Sequence, residues 1–313
     1  LGGGTPTFLP QHALARLVQD LRQHFSPDPR TEWALESTSS DLDDDMLSAL
    51  GEWGFSRLHI GVQSLQDDVR RIIGRREPAA VVLEKIARAV DAGWIVSVDL
   101  ILGLPQQTLE GVVSDIKGLE AVGVDGFSLY ELQRSSRNRR FVRQHGLGEQ
   151  GRLGAYFLTQ AASRLLDALG YRKTLFNHFA RDRDTNLYFT FPERREDCLA
   201  LGTIADGVFG DYHYRHPTYK AYDQQVDATF PGLEGGLRRS ALESQLFPLE
   251  VALLSASIRP ALFSDVLGRG RAEELLQRWR EATLVQETPD SDNLRLTVNG
   301  SWFVSAMMAQ RAA

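Results

Sequence analysis

The chain has 313 residues, with 35 Lys and Arg against 41 Asp and Glu, a formal net charge of -6, and 42% hydrophobic and 24% charged residues. This is the make-up of a globular protein whose core needs no staples, and the acidic excess argues against a general nucleic-acid binder, because phosphate contacts need clustered Lys and Arg. No apolar run approaches the roughly 20 residues that span a bilayer and no signal peptide is visible, so no membrane insertion and a cytoplasmic location are expected.

The single cysteine, Cys198, excludes internal disulfides and any metal site built from several cysteines of this chain. The first residues read "LGGGTPT", and two accounts stand side by side. The run is a flexible leader, or its Cβ-free residues bring main-chain N–H groups against an anionic ligand. Pro10 to Phe25 then reads as an amphipathic helix with Leu14, Leu17, Val18 and Leu21 on one face. A strand is predicted from Glu32 to Ser37, a helix over "LDDDMLSALGEWG" stopped at Gly51 or Gly54, and a strand from Ser56 to Gln63. A two-part helix follows, "QDDVRRIIG" and "PAAVVLEKIARAVDAG", the second opened by Pro78 and closed at Gly93. Next come the apolar strand "WIVSVDLILG", a helix from Leu109 to Val122 and the strand "DGFSLYEL". Strands with unbroken apolar runs alternating with helices predict parallel βα units.

Gly4, Glu36, Gln63, Asp99 and Tyr130 lie 32, 27, 36 and 31 positions apart. A βα repeat takes about 30 residues or more, so each falls on a successive strand or just after it. The C-terminal strand ends of a parallel α/β barrel form its active-site mouth, which brings the five together. Any one of them alone reads as a solvated group or a cap; the shared phase argues for one site. Asp99, inside "IVSVDLIL", is costly to bury, so it meets a ligand hydroxyl or ammonium or pairs with an internal Arg. From Gly151 the character changes. An amphipathic helix ends at Gly170, a segment rich in His, Arg and Tyr follows, and the tail reads helix, strand, turn ("PDSDN"), strand, helix, as in a small winged-helix-like module. The expected domains are 1–150, 151–235 and 236–313.

The motifs "GGGTPT", "SRLHIGVQS" followed by "IIGRRE", "VDLILGLPQQT" and the terminal "LTVNGSWF" together resemble the coproporphyrinogen-oxidase-like (HemN/HemW-like) branch of the radical S-adenosylmethionine (SAM) enzymes, over nearly the whole chain. The resemblance implies an α/β fold, a (β/α)6-type partial barrel lacking its first strand and cluster loop, followed by a C-terminal α+β winged-helix-like domain. It implies that the glycine loop binds the methionyl end of SAM, with Gly3, Gly4 and Thr5 against its amino and carboxylate groups. Glu36 would accept from the amino group or ribose, and Gln63 and Arg75 would meet polar groups of SAM; the Arg75 fork suits a carboxylate. Asp99 would face the ligand, and Ile101 would pack beside an adenine ring or a second SAM. The family's [4Fe–4S] cluster is held by a C-x3-C-x2-C loop, whose three thiolates leave one iron open to chelate SAM. Those cysteines are expected upstream of Leu1, so Leu1 is not expected to be a natural N-terminus, and the chain as it stands is expected to be inactive. Cys198, in "EDCLALG", reads as a buried structural thiol.

Within the branch, "ALESTSSDL", "HIGVQSLQDDVRRIIGRREP", "SLYELQRSSRNRRF" and "NHFARDRDTNLY" most resemble the ChuW/HutW group of heme-degrading radical SAM methyltransferases. The implied activity is SAM-dependent methyl transfer with opening of the tetrapyrrole ring and release of iron, in anaerobic heme degradation. A 5′-deoxyadenosyl radical would take hydrogen from a second SAM methyl, and the resulting carbon radical would add to a macrocycle that resists ordinary methylation. The alternatives are an oxygen-independent coproporphyrinogen III oxidase-like enzyme and a non-catalytic heme-binding chaperone. The chaperones carry a His-Asn pair where this chain has Thr185 and Asn186, which weakens that alternative. An electron donor such as flavodoxin or ferredoxin is implied. Heme-contacting candidates are His178, His213, His216 and Arg137, with Tyr212, Tyr214 and Arg215 between the last two histidines, in a site between the barrel mouth and the segment from His178 to His216. Each also reads as a structural residue satisfied by its neighbours.

Overall fold

In "RLHIGVQ" and "IVSVDLIL" every second residue is apolar, and the residues between are charged, polar or small except Ile95 and Ile101 at the ends of the second. A strand places successive side chains on opposite faces, so such segments build a sheet with one apolar and one polar face. The computed structural model describes residues 1–136, 138–147, 149–174, 177–191, 196–225, 232–289 and 291–312. It divides into two units, Leu1–Thr185 and Asn186–Ala313.

The first unit runs α1 (Gln11–Phe25), β1 (Ala34–Ser37), α2 (Asp44–Glu52), β2 (Arg57–Gln63), α3 (Asp67–Ile72), α4 (Ala79–Asp91), β3 (Ile95–Leu102), α5 (Leu109–Ala121), β4 (Gly126–Glu131), α6 (Arg139–Gln144), α7 (Glu149–Ala168), β5 (Arg172–Lys173) and β6 (His178–Ala180). Local chemistry sets several boundaries. The Asp43 carboxylate accepts from the Met46 N–H at the start of α2, and the Thr108 hydroxyl from the Gly111 N–H at the start of α5. Pro78 precedes α4, and Gly93 follows it with φ +92°, a conformation glycine adopts without strain.

The sheet order is β1-β2-β3-β4-β6-β5. Strands β1 to β4 are parallel, as their apolar runs predict. β6 and β5 join antiparallel to them and to each other, a pairing the sequence reading did not anticipate. Leu58, Ile60, Val62, Val96, Val98, Leu100, Leu102, Phe127 and Leu129 pack with apolar residues of α1, α2, α4, α5 and α7 into one core. All these helices therefore serve one face of the sheet, and the other face is polar.

Near the start of the strands that polar face is closed by a buried ionic cluster. Asp184 accepts from the Arg57 guanidinium of β2, from the Ser97 hydroxyl of β3 at 2.7 Å, and shares a 2.7 Å hydrogen bond with His178 Nε2 of β6. His178 Nδ1 lies 2.9 Å from the Ser128 hydroxyl of β4, and Arg57 Nε lies 3.0 Å from Glu32. Gly126 leaves the room for it: a Cβ there would run into the Asp184 carboxylate and come within 2.9 Å of the His178 ring.

The second unit holds two three-stranded antiparallel sheets. In chain order it runs α8 (Leu187–Thr190), β7 (Asp206–Phe209), β8 (Tyr212–Arg215), α9 (Tyr219–Asp223), β9 (Gly235–Arg238), α10 (Ala241–Leu254), β10 (Ser257–Ile258), α11 (Pro260–Leu267), α12 (Arg269–Glu281), β11 (Val285–Glu287), β12 (Leu294–Leu296), α13 (Val298–Trp302) and α14 (Val304–Ala312). One sheet is β7-β8-β9 and the other β10-β12-β11. Its separate core gathers Leu249, Leu253, Phe263, Leu275, Leu276, Trp279, Leu294 and Met307, with the Trp279 and Phe263 rings edge-on at 5.7 Å. Cys198 is half-buried in an isolated bridge to Val208 rather than sunk in this core. No helix among the described residues is long and apolar enough to cross a membrane.

The Asp184 cluster yields a stability prediction. Burial raises the carboxyl pKa, but the bond and charge of His178, the Arg57 charge and the Ser97 hydroxyl outweigh it and hold the pKa at about 2, against 3.8 for a free Asp. A depressed carboxyl stabilises the fold above its unfolded pKa, and that contribution fades as pH falls toward the folded value. Asp184→Asn is therefore expected to lower the melting temperature at neutral pH, with a cost of about 2 kcal/mol or more because it strands the Arg57 charge. Melting curves of both proteins should converge between about pH 4 and about pH 2; an equal gap across that range would refute the assignment.

Candidate functional site

Toward the C-terminal ends of β1 to β4 the polar face carries a second group of charges. In register, Glu36 of β1 stands beside His59 of β2, and Gly61 of β2 beside Asp99 of β3, which in turn stands beside Ser128 of β4. His59 Nε2 lies 2.5 Å from Asp99 Oδ1. Within the protein Asp99 thus pairs with an imidazole on the next strand rather than with an internal arginine. Its own position is inside β3, three residues before the strand ends, with its side chain 22% exposed.

Burial disfavours charge on His59, yet the hydrogen bond and charge of Asp99, with Glu36 and Asp184 adding to them, hold its pKa above the usual 6.5. Tyr130, on β4, feels the same field. Burial and then the Asp99 and Glu36 carboxylates push its phenol up to about 12. These four groups form one electrostatic unit.

The glycine loop lies against it. The Gly3 N–H donates to Glu36 Oε2 at 3.0 Å, and the Leu1 carbonyl accepts from the Glu36 N–H at 2.9 Å. A Cβ on Gly2 would come within 2.6 Å of the Glu36 carboxyl carbon, so only glycine lets the chain approach this closely. At Gly3, with φ +79°, and at Gly4, a Cβ would meet nothing within 4 Å: these two face open space. Thr5 precedes a short turn of 3₁₀ helix at Pro6–Phe8, and the buried Thr7 hydroxyl lies 2.7 Å from that of Ser37, fastening the loop to the end of β1.

On the other side of the group, β2 ends in a register shift between Gly61 and Gln63. Gln63 has φ +69°, a left-handed conformation unusual for a residue with a side chain. Its amide nitrogen lies 2.7 Å from where a Gly61 Cβ would be, and an Arg75 guanidinium nitrogen 3.7 Å from the same point. The loop that follows is fixed from two directions. Arg70 donates to the Val62 and Ser64 carbonyls at 3.0 and 2.8 Å, and Asp115 of α5 accepts from the Ser64 hydroxyl and the Leu65 N–H at 2.9 and 3.1 Å. Ile101 is half-buried on β3, its carbonyl accepting from the Gln107 side chain at 3.0 Å.

The structure therefore gathers Gly3, Gly4, Glu36, Gln63, Arg75 and Asp99. Sequence reasoning missed His59; its position two residues before Gly61 and four before Gln63 puts it in phase with them and was the available signal. The expected heme residues do not behave as a set. His178 is buried with both ring nitrogens engaged, by Ser128 and Asp184, so its place in the floor of the sheet corrects its reading as a heme contact. His213 and His216 belong to the second unit: His213 Nε2 lies 2.7 Å from an Arg239 nitrogen, and His216 is buried with Nε2 3.1 Å from the Ala200 carbonyl. Arg137 lies outside the described residues.

Residues 1–117 match the family model of the radical SAM superfamily. That stretch is a radical SAM domain, and the relatives the chain matches support the coproporphyrinogen-oxidase-like branch. It is 29% identical over 244 residues to the oxygen-independent coproporphyrinogen III oxidase of Escherichia coli (strain K12), covering 72% of this chain and 53% of that one. To the anaerobilin synthase of Escherichia coli O157:H7 it is 29% identical over 225 residues, covering 68% of this chain and 49% of that one. The chain thus spans about half the length of these relatives. Among solved structures, coproporphyrinogen III oxidase (HemN) from Escherichia coli, a radical SAM enzyme, shares the fold over 99% of this chain and 76% of its own, with a TM-score of 0.81 at 23% identity. The superfamily works with SAM and a [4Fe–4S] cluster.

The raised His59 pKa depends on Asp99, which is directly testable. A raised histidine pKa means that the pair stabilises the fold fully below the unfolded value, and that this is lost as pH rises through the folded one. In NMR titrations of ¹³C-histidine-labelled protein, His59 is expected to titrate above 6.5. In Asp99→Asn burial is opposed only by the more distant Glu36 and Asp184 charges, and the value should drop below the wild-type one. An unchanged titration would dissolve the pair.

Proposed function

We propose that this chain forms the SAM-binding part of a radical SAM enzyme acting on heme or a related tetrapyrrole, with methyl transfer and ring opening in anaerobic heme degradation as its reaction. The observation that carries the reading is the meeting of the glycine loop with the polar strand face, through the 3.0 Å bond from Gly3 to Glu36. The donor set suits SAM. Open space in front of Gly3 and Gly4 would admit its methionyl end, and Arg75 beside Gln63 would take its carboxylate. Glu36 and Asp99 would accept from its ammonium and ribose hydroxyls, and Ile101 offers an apolar contact for adenine. When bound, SAM supplies the radical chemistry; the chain's part is to orient it and to hold the charges around it.

The cluster is a different matter, since these residues do not fit it. The 313 residues include one cysteine. Cys198 belongs to the second unit, and burial pushes its thiol pKa up, away from the thiolate a metal needs. Among the described residues no group of three His, Cys, Asp or Glu is arranged to hold a metal ion.

For the tetrapyrrole, support comes from the likeness to the anaerobilin synthase and from the sheet β7-β8-β9, where exposed Tyr212 lies under Arg238 at 5.6 Å and His213 pairs with Arg239. Aromatic faces and arginines suit a flat macrocycle bearing carboxylates. Oxidative decarboxylation of coproporphyrinogen III is the second reading, favoured by an equal identity to that oxidase over a slightly longer span. Mass spectrometry separates them. The cluster-loaded enzyme of which this chain would be the SAM-binding part, incubated anaerobically with reductant, SAM and heme, should yield a methylated linear tetrapyrrole and free iron; loss of carbon dioxide from coproporphyrinogen III, with heme untouched, would favour the second reading. SAM affinity in calorimetry should fall at least tenfold in Glu36→Gln, the scale of one charge-assisted hydrogen bond, and undiminished binding would remove the site.

A further inference from the structure

We propose that His59 is the charge-setting and positioning residue of the ligand site: it holds Asp99 in place and, by keeping or releasing a proton, decides whether the Glu36–Asp99 pair presents one negative charge or two to a cationic ligand. The inference rests on the reading that this face receives SAM, and it goes beyond that reading because His59 is not among the residues expected to touch it.

The geometry is specific. His59 is on β2, with Glu36 of β1 in register on one side. Asp99 of β3 is 2.5 Å away on the other. Tyr130 of β4 lies in the field of both carboxylates. Below, the His178 ring of β6 is 6.2 Å away, with Asp184 behind it, and Arg57 on the same strand is taken up by Asp184 and Glu32. His59 is thus the titratable group set between the two carboxylates of the site. With an imidazolium, two carboxylates and one cation leave a single negative charge; with a neutral imidazole the full two remain. A sulfonium ligand favours the second state, so its binding should expel the proton. S-adenosylhomocysteine differs from SAM by the methyl group and the sulfonium charge, and serves as the matched probe.

The test is calorimetry on full-length, cluster-loaded protein, kept anaerobic and without reductant, with SAM and S-adenosylhomocysteine from about pH 5.5 to about pH 8, the window in which histidine titrates. The preference for SAM is expected to rise with pH on the order of tenfold in the wild type, as one added charge at short range implies. In His59→Asn or His59→Gln it should stay flat. Should both variants misfold, the wild-type NMR titration decides: saturating SAM should lower the His59 pKa, and S-adenosylhomocysteine should lower it less. A flat wild-type preference, variants that follow the wild-type profile, or a His59 titration unmoved by SAM would each overturn the proposal. Failure of both ligands to bind at any pH would overturn the SAM reading itself, and this inference with it.

Discussion

The apolar face of the sheet cannot by itself hold its strands in register, because a slip of two residues along any strand would put apolar side chains back against the helices. Asp184 prevents that slip. Its carboxylate binds Arg57 of β2, Ser97 of β3 and His178 of β6, and His178 extends the connection to Ser128 of β4. Charges buried this deeply are tolerable only when all are paired, so any other register would leave a charge stranded. The arrangement of Glu36, His59, Asp99 and Tyr130 further along the same strands depends on that lock.

The two tiers of the polar face share their electrostatics as well as their strands. The floor is buried and densely bonded; the upper tier is partly exposed and more lightly bonded. His59 and His178 bring them together, their rings 6.2 Å apart, and the Asp184 charge contributes to the proton affinity of His59. A structural charge and a binding charge are therefore not independent here, and a substitution in the floor reaches the site through the field as well as through the backbone.

Much of the parallel sheet was legible because its strands carry a plain signal. The runs around Arg57–Gln63, Ile95–Leu102 and Gly126–Glu131 are apolar and bounded by turn residues, and the observed strands fall within a residue or so of the expected ones. The antiparallel pair β5 and β6 was not legible, since two or three residues are too few to show a period. The glycine loop, Glu36, Gln63, Arg75 and Asp99 were found from motif and phase, but the partner of Asp99 was not, because it lies 40 positions away on another strand. His178 shows the opposite failure. Composition advertises the chemistry of a histidine but not the face it occupies, and this one faces a buried carboxylate.

Gln63 makes the end of β2 a place where folding and binding pull apart. Glycine would occupy φ +69° without steric cost, whereas glutamine holds it against a penalty on the order of 1 kcal/mol. The loop beyond it, clamped by Arg70 and Asp115, leaves the backbone no easier path. Selection for stability alone would drift this position toward glycine, and a chain optimised by that criterion would melt higher while losing an amide from the rim of its site. Consensus or stability-guided redesign of this protein should therefore leave position 63 untouched.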